Sequence, residues 1–230
     1  MDAEWRMVSN GGTLCVWVSS VDGARIRARK RAQLSQHFLR DQGLAASLVR
    51  QSSIFACDLI VEIGPGRGAF TRELVNRCGR LVAVKLDAYL ASALDIEFTN
   101  VREVEIVHQD FLHFALPQSP YKVFGNIPFD KTHEIVRCLA ESRAPPEDAY
   151  LIVRREDAER IAGHPFARES RTSLLLKPWW HIEIVRELRR SVFDPNGIPL
   201  LDPSAQAPGD GSRQAAVSEV HTRLLWYQRQ

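Results

Sequence analysis

Leu59-Ile60-Val61-Glu62-Ile63-Gly64-Pro65-Gly66-Arg67-Gly68 is the stretch that decides the fold. A short apolar run ends in a loop with glycine at every second position, and a helical pattern over 69–78 follows. Glycine lets a backbone turn tightly and approach a ligand closely beside a helix N-terminus. Strand, glycine loop and helix together form the nucleotide-binding half of a doubly wound fold. The spacing is G-x-G-x-G, not the dinucleotide pattern G-x-G-x-x-G, and no phosphate-binding Lys follows. Such a loop fits a cofactor without phosphates, such as S-adenosylmethionine, and makes Gly64 and Gly66 candidate cofactor-binding residues. A plain turn is the competing reading.

Outward from this loop the pattern alternates. Apolar runs at 81–84, 104–107, 123–124 and 150–153 predict four more strands, and 181–185 a sixth. Helical patterns lie between them, at 88–94, 132–139 and through Ile161, and Leu44, Leu48 and Val49 fit a helix face ahead of the first strand. Strands alternating with helices predict an α/β fold with a mostly parallel sheet flanked by helices. Residues 1–31 show no periodicity and read as a basic N-terminal extension, open to flexibility. Residues 202–213 are rich in Pro, Gly, Ser, Ala and Asp and read as a linker or disordered segment. The apolar patch Leu224-Leu225-Trp226-Tyr227 leaves helix docking and disorder both open.

The chain has 230 residues, 45% of them hydrophobic, which suits one large domain with at most a small appendage. Net charge is only +2, but Arg25, Arg27, Arg29, Lys30 and Arg31 cluster. A solvated tail or a phosphate-contacting arm explains that cluster. The four cysteines are widely spaced, with neither metal-ligand spacing nor a disulfide framework, so no metal is expected. No apolar run approaches a membrane span, and the basic residues follow the apolar segment near the start instead of preceding it. A soluble, cytoplasmic protein with no membrane partner is expected, and a monomer.

Asn126-Ile127-Pro128-Phe129 follows the predicted fourth strand. The Asn side-chain oxygen and the Ile127 carbonyl can accept two hydrogen bonds from one amino group. Pro128 stiffens the turn, and Phe129 offers a face on which a base can stack. That is a clamp for the exocyclic amine of an adenine held outside its stack; a strand followed by a tight turn is the alternative. Asp110, just past the third strand, is placed to accept from a cofactor adenine or to cap a helix. Lys85 ends the second strand, where an acid would bind ribose hydroxyls. Lys offers three donors and no acceptor, so it either meets the cofactor awkwardly or is a solvated strand end.

Ser35-Gln36-His37-Phe38-Leu39, Glu62 to Gly68, Val82-Ala83-Val84-Lys85-Leu86-Asp87, Gln109-Asp110-Phe111-Leu112 and Asn126 to Phe129 fall in the order of a known family. The chain resembles the rRNA adenine N6-methyltransferases, which include the KsgA-type small-subunit dimethyltransferases and the Erm macrolide-resistance enzymes. Leu174-Leu175-Leu176-Lys177-Pro178-Trp179-Trp180 looks more like Erm, and Phe193-Asp194-Pro195 is similar to a Phe-x-Pro element of the family.

The resemblance implies a Rossmann-like class I S-adenosylmethionine-dependent methyltransferase domain over 32–195, with a divergent or reduced segment over 196–230. It implies cofactor binding by His37, Leu39, Gly64, Gly66, Lys85, Asp110 and Asn126, with Asn126, Ile127 and Phe129 as catalytic residues. Two positions depart from the family. His37 stands where Asn is usual. Lys85 stands where Glu is usual, which implies weaker cofactor affinity or a chain altered from an active parent. Beyond Pro195 the family's Pro-x-Val-Asp strand is absent, so the last sheet strand is not expected from 196–202. The implied activity is N6-methylation of an adenine in 23S rRNA, protein-free or in precursor form, with macrolide-lincosamide-streptogramin resistance. A KsgA-like small-subunit enzyme and a non-catalytic RNA-binding relative are the alternatives.

Overall fold

The structure is a computed structural model that describes residues 13–19, 38–39, 41–162, 171–178, 180–188, 193–194 and 221–226. In chain order its strands are β1 Thr13–Ser19, β2 Phe38–Leu39, β3 Leu59–Ile63, β4 Arg80–Lys85, β5 Val104–His108, β6 Lys122–Asn126, β7 Asp148–Arg154, β8 Trp180–Leu188, β9 Phe193–Asp194 and β10 His221–Trp226. Its α-helices are α1 Gln42–Arg50, α2 Ala69–Val75, α3 Ala88–Phe98, α4 Thr132–Ala140, α5 Arg155–Ala162 and α6 Arg171–Leu176.

Five strands pair in parallel in the order β7-β6-β3-β4-β5. The chain runs outward from β3 to β5, then returns to β6 beside β3. That reversal opens a crevice at the carboxyl ends of β3 and β6, the usual ligand position in such sheets. Beyond β7 the eight-stranded sheet continues through β10, β8 and β1, with β10 antiparallel to β8 and β1 parallel to β7.

Alternation along the strands builds two cores. Val61, Ile63, Val82, Val84 and Val123 face α4, α5 and α6 through Ile135, Val136, Leu139, Ala158, Ile161 and Leu176. Ile60, Phe124, Tyr150 and Ile152 face α1 and α2 through Ala45, Leu48, Val49, Phe70 and Leu74. The sheet is thus buried on both faces, which is why its strands read as nearly continuous apolar runs. Asp41 and Asp87 cap α1 and α3, accepting from Leu44 N and Leu90 N at 2.9 Å.

The predicted strands at 59–63, 81–84, 104–107, 123–124, 150–153 and 181–185 are all present, most of them longer than the apolar runs suggested. Besides the two-residue pair β2 and β9, two strands were not predicted. β1 lies in the segment without periodicity, and β10 takes up part of the apolar patch near the C-terminus. Both are short runs completed by strand partners far away in sequence. The basic cluster 25–31, the linker 202–213 and His37 lie outside the described residues. Among the described residues no helix is long and apolar enough to cross a membrane.

Gly125 is where β6 presses on β3. A Cβ built there meets the Ile63 carbonyl oxygen at 2.6 Å, a backbone atom that cannot swing aside. Gly125→Ala should therefore force the two strands apart and destabilise the protein by about 1–3 kcal/mol, read as a lowered urea midpoint with unchanged m-value.

Candidate active site

The glycine loop turns at the carboxyl end of β3. Gly64, Gly66 and Gly68 have φ of 67°, 61° and 81°, a region that side chains other than glycine enter only with strain. Gly64 N donates to Val84 O at 3.1 Å, which ties the loop to β4. A Cβ on Gly64 would meet the Asn126 carbonyl oxygen at 3.1 Å. The loop and the end of β6 are therefore in backbone proximity, and the two motifs line one crevice.

Two ionisable groups are buried beside this crevice. Glu62, 1% exposed, accepts from Thr71 Oγ1 at 2.8 Å through one oxygen. Its Oε1 has no hydrogen-bond partner among the described residues. Burial pushes its carboxyl up to about 8, against smaller opposing effects of Thr71 and Arg72. Lys85, 3% exposed, ends β4. Burial pulls its ammonium down to about 8, partly offset by the Asp87 carboxylate. Lys85 is thus no solvated strand end. Leu86 beside it is an exposed apolar side chain, and its carbonyl lies 3.1 Å from His108 Nε2.

Asp110 caps a 3-10 turn, Phe111–His113, accepting from Leu112 N at 3.0 Å. Its second oxygen lies 3.8 Å from His113 Nδ1, and the side chain is half-exposed. Capping occupies one oxygen and leaves the other turned toward a ring nitrogen and solvent. Leu39 is half-buried in β2, which pairs with β9 through Leu39↔Phe193 and Phe38↔Asp194. Phe193 and Asp194 are thereby attached to the segment that precedes α1, a juxtaposition no sequence spacing announced.

Asn126 ends β6, and Ile127 is buried behind it. Pro128 has φ −59° and leads into a 3-10 turn, Phe129–Lys131. Within that turn Pro128 O accepts from Lys131 N at 3.0 Å and Phe129 O from Thr132 Oγ1 at 3.1 Å. The Ile127 carbonyl takes no part in the turn's own hydrogen bonds among the described residues. Phe129 is 4% exposed, with the Arg154 guanidinium 5.3 Å from its ring centroid. The sequence pointed to an open stacking face; the fold covers it. Sequence offers Arg154, with Arg40 and Arg155, only as a candidate RNA-phosphate contact or a solvated surface residue; its contact with Phe129 arises only when β7 lies beside β6. Arg155, its neighbour, is held by Glu159 at 2.7 Å.

The description "Ribosomal RNA adenine dimethylase" matches residues 27–198 of this chain. The chain belongs to that family. A probable ribosomal RNA small subunit methyltransferase A of Methanopyrus kandleri is 33% identical over 73% of this chain and 60% of its own length. The corresponding Chlorobium chlorochromatii protein is 30% identical over 86% and 79%. An rRNA adenine N-6-methyltransferase of Aeromicrobium erythreum is 32% identical over 76% of this chain and 51% of its own length. The chain thus spans about half to four-fifths of these relatives.

Among solved structures, the 23S rRNA methyltransferase ErmE superposes with a TM-score of 0.64 at 24% identity, over 83% of this chain and 70% of that one. A Plasmodium falciparum dimethyladenosine transferase gives 0.66 at 20%, over 84% and 64%. These likenesses show the fold, a Rossmann-like parallel sheet flanked by helices.

The two buried groups give opposite pH signatures. The folded Glu62 carboxyl holds its proton to about 8 against 4.5 for an ordinary carboxyl, so its stabilising share is present below 4.5 and lost as pH rises toward 8. The folded Lys85 ammonium gives up its proton near 8 against 10.5, so its burial costs stability below 8 and that cost fades toward 10.5. Urea denaturation should show Glu62→Gln flattening the fall between pH 5 and 8. Lys85→Met should stabilise at pH 7 and lose that advantage by pH 10.5.

Proposed function

We propose that this chain transfers methyl groups from S-adenosylmethionine to the N6 amine of an adenine in ribosomal RNA. The observation that carries the reading is the 3.1 Å approach between the Gly64 Cβ position and the Asn126 carbonyl, which joins a cofactor-type loop to an amine clamp. Residues 32–195 are read as the methyltransferase domain.

The residues fit such a cofactor at most points. The glycine loop leaves room that a Cβ would fill, Glu62 Oε1 is a buried polar atom in want of a partner, and Leu39 and Asp110 join them on family resemblance. His37 is assigned to the same set on family resemblance. Lys85 fits a ribose edge only after losing its proton, when its nitrogen gains a lone pair and can accept from a hydroxyl. Burial already moves it that way.

The cofactor supplies an electrophilic methyl group on a sulfonium. The chain's own residues prepare the nucleophile. The lone pair of an adenine amine is delocalised into the ring and attacks poorly. Asn126 Oδ1 and the Ile127 carbonyl would accept its two N–H groups and favour a pyramidal nitrogen. Phe129 would hold the ring by stacking. Positioning and polar stabilisation supply the rate, with no strong base required.

Two target readings follow from different observations. Lys177 to Trp180 favours a 23S rRNA adenine, with macrolide-lincosamide-streptogramin resistance as the consequence. Trp180, however, is 2% exposed in the core, so packing alone accounts for it. The small-subunit methyltransferase names of the Methanopyrus and Chlorobium relatives favour a 16S-type adenine.

Labelled S-adenosylmethionine should transfer methyl groups to protein-free 23S rRNA or to small ribosomal subunits, with primer extension marking one adenine. No transfer to either at saturating cofactor would refute the reading. Asn126→Ala should lower kcat on the order of 100-fold. Calorimetric titration should show Lys85→Glu binding S-adenosylmethionine at least tenfold more tightly, and unchanged affinity would remove Lys85 from the cofactor site.

A further inference from the structure

We propose that Arg154 is a positioning residue that covers the Phe129 ring until a phosphate of the target nucleotide draws it away. The inference rests on reading Phe129 as the platform for the target base.

Three observations meet at this side chain. First, its guanidinium lies 5.3 Å from the Phe129 centroid, and the ring beneath is almost wholly enclosed. A planar cation over an aromatic face is attractive, but it occupies the place a stacked base needs. Second, Arg154 Nε is buried without a hydrogen-bond acceptor among the described residues. A buried donor left unsatisfied is costly, so this arrangement gains when an acceptor arrives. Other arginines differ: Arg155, Arg72 and Arg80 reach Glu159, Glu97 and Glu105 at 2.7, 2.6 and 2.9 Å.

Third, the register Asn126↔Ile152 places Arg154 two residues past the level of the clamp, at the carboxyl edge of β7. The proposal sets the target nucleotide's amine at Asn126 and its phosphate at this edge of the sheet. Guanidinium forks match phosphate oxygens bidentately, a better arrangement for five donors than an aromatic face. The cover and the phosphate site are thus one side chain in two positions. A nucleoside without phosphate must displace Arg154 unaided, whereas a nucleotide provides the group that removes it.

This yields a crossing of signs that a merely structural arginine would not produce. NMR titrations with adenosine and with adenosine 5′-monophosphate are compared at saturating S-adenosylhomocysteine, which keeps both probes out of the cofactor crevice. Arg154→Ala and Arg154→Gln should bind adenosine severalfold more tightly and the monophosphate severalfold more weakly than the wild type. Arg154→Lys should restore much of the monophosphate affinity. Thermal unfolding confirms that each variant is folded, and if Ala is not, Gln carries the comparison.

Shifts of both probes in the same direction, no shift in either, or no saturable binding by the wild type would overturn the proposal. Methyl transfer to rRNA is measured on the same wild-type preparation. Crossing without transfer overturns the methyltransferase reading and leaves the cover standing; transfer without crossing overturns the cover alone.

Discussion

The approach of β6 to β3 is the constraint on which the rest depends. At Gly125 the Ile63 carbonyl leaves no room for a Cβ, and at Gly64 the Asn126 carbonyl leaves little more. Two backbones can come this close only where side chains are absent. The result is that the end of one strand carries the glycine loop, the end of its neighbour carries the Asn-Ile-Pro-Phe turn, and both open into the same crevice. A bulkier residue at either glycine would separate the two halves of the site while leaving both motifs intact.

Electrostatics is the second theme. Glu62 and Lys85 sit near the ends of adjacent strands, nearly excluded from water, and burial drives each toward its neutral form. Two oppositely charged groups so placed could have formed an ion pair. Neither is held that way: Glu62 is bonded to Thr71, and Lys85 feels chiefly Asp87. At pH 7, below both values near 8, Glu62 holds its proton and Lys85 is still mostly an ammonium, so a cationic sulfonium meets a positive charge here unless Lys85 gives up its proton.

Much of this was legible because the central strands are buried on both faces. Their apolar runs, at 59–63 above all, mark strands without knowledge of their neighbours, and glycines at alternate positions mark a tight loop. Asp110 shows where legibility stops. From sequence, capping and ligand contact were equally good; the structure shows the cap, and one half-exposed oxygen still available. β1 and β10 were not legible, since their short runs become strands only through distant partners. Phe129 was legible as an aromatic after a Pro, but not its cover.

Residue chemistry at fixed local spacing was thus determined by sequence alone: the glycine loop, the Asn-Ile-Pro-Phe turn, and a donor-only lysine where an acceptor was expected. These depend on a few consecutive residues and on which atoms each side chain carries. Tertiary structure decided what those residues face. It brought Gly64 against Asn126, set β2 beside β9, sealed Lys85 from water and laid Arg154 on Phe129. Each of these is a contact between segments far apart in the chain. Such contacts are set by strand order and register, which arise from packing the whole sheet and not from any single stretch.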